Sequence, residues 1–125
     1  MIYKALKDKL ASDNELKKLI NDRIYYVNIP QNPIYPCISF YRVSNPRGHL
    51  VDVSSPRFQI DIWAKKYSET VEIANRIRRI LQRSKGVWDG ISIIQGVYMN
   101  EFEDYESDTN LYHLAADYRI IYKDY

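Results

Sequence analysis

The stretch RFQIDIWAKKYSETVEIANRIRRILQ, residues 57–82, constrains the fold more than any other part of this chain, because its apolar residues change period partway along it. In the first third they occupy every second position, namely Phe58, Ile60, Ile62 and Ala64. In the rest they recur three and four residues apart, namely Val71, Ile73, Ala74, Ile77, Ile80 and Leu81. The first period predicts a strand with one buried face, and the second predicts an amphipathic helix. The unit therefore predicts a helix that lies on a sheet.

The ends of this helix are predicted from capping and charge. Ser68 is the expected N-cap, because a serine hydroxyl can accept a hydrogen bond from a free amide of the first turn. Glu69 follows in the first turn, and arginines occupy the last turns, which suits the helix dipole at both ends. We expect this helix over about residues 68–83.

The remaining chain predicts two short N-terminal helices followed by strands. The helices cover residues 2–11 and 15–20, the second capped by Asp13. Strands are expected at 23–29, 37–43, 91–102 and 111–122. An acidic turn at 103–110 joins the last two strands into an antiparallel hairpin, Gly96 marks a bulge or kink, and residues 88–90 form a turn. The segment 45–56 is either the return arm of a hairpin or a loop.

These elements predict one domain, residues 1–125, of the α+β class. Consecutive strands with short connections indicate a mixed, mainly antiparallel sheet. The long amphipathic helix of about residues 68–83 covers one face, together with the short N-terminal helices.

Composition places the chain among soluble, non-secreted proteins. The formal net charge is +2, and the single cysteine, Cys37, excludes an intramolecular disulfide. We find no apolar run near the roughly 20 residues of a membrane span, and no signal sequence. Twelve tyrosines stand against three phenylalanines, which suits either half-buried strands or a protein rich in interfaces.

The residues that could perform catalysis lack partners in the sequence. His49 and His113 are far apart, and we expect both to be solvent-exposed surface residues. Cys37 has no base or helix N-terminus nearby, so we expect a structural, semi-buried thiol. The chain is therefore expected not to be an enzyme.

Metal and nucleotide sites are likewise not expected. Asp104, Glu106 and Asp108 match positions one, three and five of a calcium loop, but Thr109 and Ala115 occupy the positions that need glycine and glutamate. One cysteine and two scattered histidines exclude a closed zinc site, and the four glycines form no phosphate-binding motif. We expect no cofactor.

Basic residues leave one alternative function open. Arginines 76, 78, 79 and 83 lie on the predicted helix and could face phosphate, although the outer face of an amphipathic helix is usually just solvated. Tyr41 and Trp63 could stack on bases. A small nucleic-acid-binding module that uses the arginine-rich helix or an aromatic sheet face is therefore the alternative.

Charge also favours self-association. The acidic turn and the arginine-bearing helix have opposite signs, and opposite patches on one small subunit permit head-to-tail contacts that close into a ring. The candidate interface residues are Arg47, His49, Asp52, Arg76, Arg79, Glu101, Glu103, Asp104, Glu106 and Asp108.

Four ordered features resemble a family of small proteins from tailed phages and prophages. They are two opening helices, the run Asp22-Arg23-Ile24-Tyr25, a proline-rich connector leading into Tyr35-Pro36-Cys37-Ile38-Ser39-Phe40, and the strand and helix FQIDIWAKKYSETVEIANRIRRIL. This family comprises the tail-completion, or head–tail joining, proteins, which are related to the tail terminators of long-tailed phages. The resemblance covers about residues 1–82.

The resemblance implies an α+β fold and a homo-oligomeric ring, commonly a hexamer, on the end of the tail tube. Such a ring stops tube polymerisation and offers a surface to the head connector protein, while DNA passes through its lumen. It implies no catalysis and no cofactor. It places the protein in the virion, at the phage neck, after assembly in the host cytoplasm. In such a ring we expect the acidic turn to meet basic residues of the adjacent subunit. We expect residues 45–56 to be mobile until they contact the tube or a neighbour.

Overall fold

The computed structural model describes residues 1–45 and 52–124. In those ranges the elements, in chain order, are α1 (Ile2–Ala11), α2 (Asn14–Ile20), β1 (Ile24–Tyr26), β2 (Cys37–Ser44), β3 (Val53–Ser54), β4 (Arg57–Ala64), α3 (Tyr67–Leu81), β5 (Gly86–Trp88), β6 (Ile91–Glu106) and β7 (Leu111–Lys123). None of these helices is long and apolar enough to span a membrane.

The strands form one mixed, curled sheet in the order β1-β2-β4-β7-β6-β5, with β3 beside β7. Strands β1 and β2 run parallel, whereas β2–β4, β4–β7, β6–β7, β5–β6 and β3–β7 are antiparallel. The predicted α+β class and the mainly antiparallel sheet are therefore confirmed.

The core lies between one face of this sheet and the helices. The predicted alternation in β4 is confirmed, because Phe58, Ile60 and Ile62 are fully buried in one cluster with residues of all three helices. Ile73 and Ile77 of α3 are fully buried in the same cluster. Burying a side chain of this size contributes roughly 1.5–3 kcal/mol, so this face supplies much of the driving force for folding.

Helix α3 begins and ends differently from the prediction. Ser68 is not its N-cap, because the helix starts at Tyr67, and Lys66 precedes it without any side-chain capping bond. The helix ends at Leu81 because the chain then turns, with Arg83 at φ +60° and its N–H donating to the Gly96 carbonyl at 2.8 Å. For α2 the predicted cap is confirmed, since the Asp13 carboxylate accepts a bond from the Leu16 N–H at 2.9 Å.

Gly96 lies where the end of α3 presses against β6. A Cβ atom at this position would overlap the Leu81 carbonyl oxygen. The register between β6 and β7 shifts between Ile93 and Gln95, so the expected irregularity lies immediately before Gly96. Glycine is therefore required here by the close approach of two backbones.

Two turns were predicted in the wrong place. Trp88 belongs to β5, a strand that the sequence pattern missed, and the turn that follows is only Asp89-Gly90. The acidic segment is mostly strand, because β6 continues to Glu106 and the turn occupies residues 107–110. Pairing with β7 overrides the low strand propensity of glutamate and aspartate.

The expected first strand and the segment 45–56 also need correction. The strand at 23–29 is confined to Ile24–Tyr26, because Val27 adopts φ +69° and leaves the extended region. In the second segment, β3 pairs with β7 rather than forming a hairpin with β2. The expectation that this segment is mobile falls largely on residues 46–51, which lie outside the described residues.

Candidate functional site: the interaction surfaces

The sheet has a second face, opposite the three helices, that is built from the alternate residues of β2, β4 and β7. At its centre the rings of Trp63 and His113 stack with their centroids 4.0 Å apart and their planes 2° from parallel. His113 Nε2 lies 2.7 Å from Asp61 Oδ1, and the Gln59 side-chain amide donates to the same oxygen at 2.8 Å. The strand register causes this cluster, because Trp63 pairs directly with His113 across β4 and β7.

The prediction that His113 is a solvent-exposed surface residue is wrong. Only 14% of its side chain is exposed, and the buried Asp61 carboxylate orients its ring. An oriented imidazole needs a nucleophile or substrate to act as a base. The nearest thiol does not suit that role, since Cys37 is fully buried and burial raises the pKa of its thiol to about 11. Cys37 is therefore a structural thiol, more buried than expected.

The acidic residues lie along β6 and not in one turn. Glu101, Glu103, Asp104 and Glu106 belong to the strand, and Asp108 lies in the turn that follows. None of the five forms an ion pair with another residue of the described ranges. These acidic side chains therefore have no ion-pair partner within residues 1–45 and 52–124.

A cleft of about 310 Å³ opens where β6 passes the start of α3. Tyrosines form much of its wall. The ring centroids of Tyr105 and Tyr112 lie 4.8 Å apart, and the Tyr67 ring meets the Tyr112 ring edge-on with a centroid distance of 5.8 Å. A hydrogen bond to Glu103, together with some burial, raises the pKa of the Tyr67 hydroxyl. The cleft thus combines aromatic surface with the two carboxylates of Glu103 and Asp104, and aromatic residues are enriched at protein interfaces.

The arginines of α3 have separate partners. Arg76 donates two bonds to the Asp13 carboxylate, from Nε at 2.7 Å and from Nη2 at 2.6 Å, and so joins α3 to the N-cap of α2. These hydrogen bonds make the largest contribution to the lowered pKa of Asp13 and to the raised pKa of Arg76. The guanidinium carbon of Arg78 lies 4.1 Å from the centroid of the Tyr98 ring, whereas Arg79 is exposed. The helix therefore does not present one free basic patch.

The sequence matches the family model of the tail completion protein gp17 over residues 4–123. The chain belongs to this family. It is thus a structural protein of the phage tail. The family match confirms the resemblance seen in residues 1–82 and extends it through the C-terminal hairpin. No protein of curated function matches the sequence at a significant level.

Solved structures share the fold of this tail completion protein. A chain from the virion of a native gene transfer agent particle superposes with a TM-score of 0.79 at 13% identity, covering 96% of this chain and 92% of that one. A second solved structure gives a TM-score of 0.69 at 9% identity, covering 99% and 94%. At such low identities these likenesses establish the fold alone.

The predicted interface residues of this tail completion protein fall in separate places. The acidic set lies on β6 and the turn that follows it, and Arg76 and Arg79 lie on α3. Asp52 lies at the other end of β7, where its carbonyl accepts a bond from the Asp124 N–H at 2.9 Å. Arg47 and His49 lie outside the described residues. The sites are thus dispersed, as contacts to several neighbours would require, and their roles remain predictions.

The cluster of Asp61, Trp63 and His113 was missed by sequence reasoning. The alternation in β4 does place Asp61 and Trp63 on the face opposite the core. His113 comes from a strand 52 residues away, and no local pattern indicates the register that brings it there.

Proposed function

We propose that this tail completion protein forms a homo-oligomeric ring, commonly a hexamer, that caps the tail tube and joins the tail to the head connector. The observation that carries the proposal is membership of the tail completion family over residues 4–123. In this proposal the ring stops tube growth, DNA passes through its lumen, and the protein acts without catalysis. Its partners are other copies of itself, the tail tube protein and the head connector protein. Assembly takes place in the host cytoplasm.

The carboxylates of β6, which form no ion pair within the described residues, support a role that depends on contacts between subunits. Carboxylates in a row repel one another, and they are stabilised when a neighbour supplies cations. Exposed arginines elsewhere on the same subunit, among them Arg42 and Arg79, are available for this purpose. Because the two signs lie on different parts of one subunit, the contact is head-to-tail, which is the arrangement that generates a ring.

Assembly and capping can both be measured with purified proteins. Light scattering after size-exclusion chromatography and negative-stain electron microscopy should show a closed ring, alone or on tubes of the tail tube protein. Added to growing tubes, the protein should shorten them and occupy one end. A protein that stays monomeric with and without tubes, and leaves tube length unchanged, would overturn the proposal.

Charge reversal tests the expected contact of the acidic strand with a neighbour. Replacing Glu103 and Asp104 together by lysine should prevent ring formation, because both residues are exposed and make no ion pair within the described part of their own subunit. Replacing Asp22 and Glu72 together by lysine, at two exposed positions away from β6, is the control for the same change in net charge. Ring formation and capping that survive the double reversal would count against this contact.

Nucleic-acid binding is the alternative function, and the exposed Tyr41 is the observation that favours it. The remaining features favour it less, since Trp63 is stacked on His113, and Arg76 and Arg78 are engaged within the subunit. A filter-binding assay with a salt titration separates the two functions. Tight binding that weakens steeply with salt would support the alternative, and absence of binding at low salt would remove it.

A further inference from the structure

Strand β6 has a border beside which the described residues place no strand over much of its length. Strand β5 pairs only with Ile91–Ile93 of this strand, whereas β7 pairs with it up to Glu106. Beyond Tyr98, no strand of the described ranges lies on the outer side of β6. A strand border of this length offers free backbone donors and acceptors, which makes it a template for another strand.

The hydrogen bonds around Gly96 and Tyr98 show which amides face this border. The Gly96 N–H donates to Ser84 at 2.9 Å and the Tyr98 N–H donates to Gln82 Oε1 at 2.6 Å, both away from β7. In an antiparallel pair, residues that bond across the pair alternate with residues that do not. Gly96 and Tyr98 are thus the residues that do not bond to β7.

The register with β7 shifts between Tyr98 and Asn100. Beyond this shift, the odd-numbered residues of β6 are the ones whose backbone N–H and C=O groups point away from β7. The Tyr105 N–H confirms the change, because it donates to Asp104 Oδ1 instead of to β7. By the same alternation, the N–H and C=O groups of Glu101 and Glu103 point outward. Within residues 1–45 and 52–124, no hydrogen bond to the outward N–H or C=O group of Glu101 or Glu103 occurs.

At the opposite border of the sheet, the end of β2 also has no neighbouring strand on its outer side among the described residues. Strand β1 pairs with only three residues of β2, the last of them Phe40, so the exposed end Tyr41–Ser44 extends beyond it. The Phe40 carbonyl accepts from the Val27 N–H on this outer side, so Arg42 is the next residue whose backbone faces outward. The two open borders therefore carry opposite charges, glutamates on β6 and an arginine on β2.

Apolar exposure is concentrated on the same two strands. Phe102 is 54% exposed, although aromatic residues of this size are normally buried. Of the eleven exposed large hydrophobic residues in the described chain, six lie on β6 and the end of β2: Tyr41, Val43, Ile94, Met99, Phe102 and Tyr105. Apolar side chains beside unpaired backbone mark a surface that a protein partner covers.

We infer that the outer border of β6, residues 99–106, pairs through backbone hydrogen bonds with the exposed end of β2 in a second copy of this chain. The sheet then runs from one subunit into the next. Pairing of β6 with β6 is disfavoured because it would set glutamates opposite glutamates. Because two different borders meet, the contact is heterologous and can repeat around a ring. This inference rests on the proposed ring.

Cysteine cross-linking tests the contact directly. Two single variants, Glu103→Cys and Arg42→Cys, are mixed before assembly and then oxidised; Glu101→Cys replaces the first in a parallel mixture to cover a second register. Disulfide-linked dimers are expected in the mixtures only, since paired strands bring Cβ atoms within about 5.5 Å. Dimers of Glu103→Cys alone would overturn the inference in favour of β6–β6 pairing. The native Cys37 does not interfere, because it is fully buried.

Proline substitution tests whether the backbone itself makes the contact. Glu103→Pro removes an outward N–H without taking a bond from β7, whereas Glu103→Thr loses the same carboxylate and keeps the N–H. We expect Glu103→Pro to run as a monomer in light scattering and Glu103→Thr to retain the ring. Circular dichroism and thermal melting check that each variant is folded, and Glu101→Pro provides a second test of the same border.

The outcomes distinguish this inference from the proposed function. If the wild-type protein never forms a ring, the proposed function fails and the pairing fails with it. If the ring forms, but no mixture cross-links and the folded Glu103→Pro and Glu101→Pro variants still assemble, only the β6–β2 pairing is overturned.

Discussion

Arg76 and Asp13, 63 residues apart in sequence, form a two-bond ion pair that joins the middle of α3 to the N-cap of α2. The same Asp13 carboxylate oxygen that accepts from Arg76 Nε also accepts from the Leu16 N–H. One side chain thus caps one helix and fastens it to another. This makes the pair a structural link within the subunit, although Arg76 was predicted as an interface residue.

Removal of the Arg76 guanidinium should destabilise the fold. We expect Arg76→Ala to lower the free energy of unfolding, because it leaves the Asp13 carboxylate without its two Arg76 donors. Arg79→Ala is the matched control, because Arg79 is exposed on the same helix. Urea unfolding followed by circular dichroism measures both variants. Equal losses in the two would show that the contact with Asp13 contributes nothing.

The contribution of Asp13 should depend on pH in a defined direction. Arg76 holds the pKa of this carboxyl below its ordinary value of about 3.9. A lowered pKa in the folded state means that the stability is fully present above about pH 4 and is lost as the pH falls through the folded pKa. Asp13→Asn keeps the N-cap acceptor and loses the charge, so the wild type should be more stable at pH 7 by an amount that shrinks below pH 4. A gap in urea midpoints that stays constant from pH 7 to pH 3 would contradict this.

Gly96 should not tolerate even the smallest side chain. A Cβ atom there meets the Leu81 carbonyl, which is backbone and cannot move aside cheaply. We expect Gly96→Ala to cost about 3 kcal/mol or more in unfolding free energy, at the upper end for overpacking. Gln95→Ala, at an exposed neighbouring position of β6, is the control. A melting temperature for Gly96→Ala close to that of the control would refute the close approach.

The buried carboxylate of Asp61 should be more important for stability than that of Asp108, the acidic residue of the 107–110 turn. Asp61→Ala leaves His113 and the Gln59 amide without their acceptor, at an expected cost of about 2–3 kcal/mol. Asp108→Ala, in the exposed turn, should change stability by less than about 0.5 kcal/mol. Denaturant titration compares the two, and similar values would show that the cluster is not a stabilising unit.

Cys37 should be unreactive until the protein unfolds. The thiol is fully buried and burial raises its pKa to about 11, so very little thiolate exists at pH 8. A chromogenic thiol reagent should therefore react slowly with the native protein and at once in guanidinium chloride. Fast reaction of the native protein would place Cys37 at an accessible site.

The sequence by itself determined the elements whose signal is local. The change of period between Ile62 and Val71 predicted β4 and α3, because side chains a few residues apart share a face wherever the backbone is regular. Asp13 was predicted as a cap for the same reason, since its bond spans three residues. The order of these local elements also carried the resemblance to the tail completion family, which the match over residues 4–123 confirms.

Only the tertiary structure decided which distant residues meet. Trp63 lies on His113, and Arg76 holds Asp13, because of strand register and helix packing that act across 50 residues or more and leave no periodic trace in the sequence. The acidic residues showed the same limit: they were predicted as a turn, yet pairing with β7 extends them as strand to Glu106. That extension leaves the outward amides of Glu101 and Glu103 on an open border, because a strand in a sheet can be paired on one side and free on the other. Local sequence determined the strand–helix unit at residues 57–82, and long-range pairing decided which surface is left for a partner.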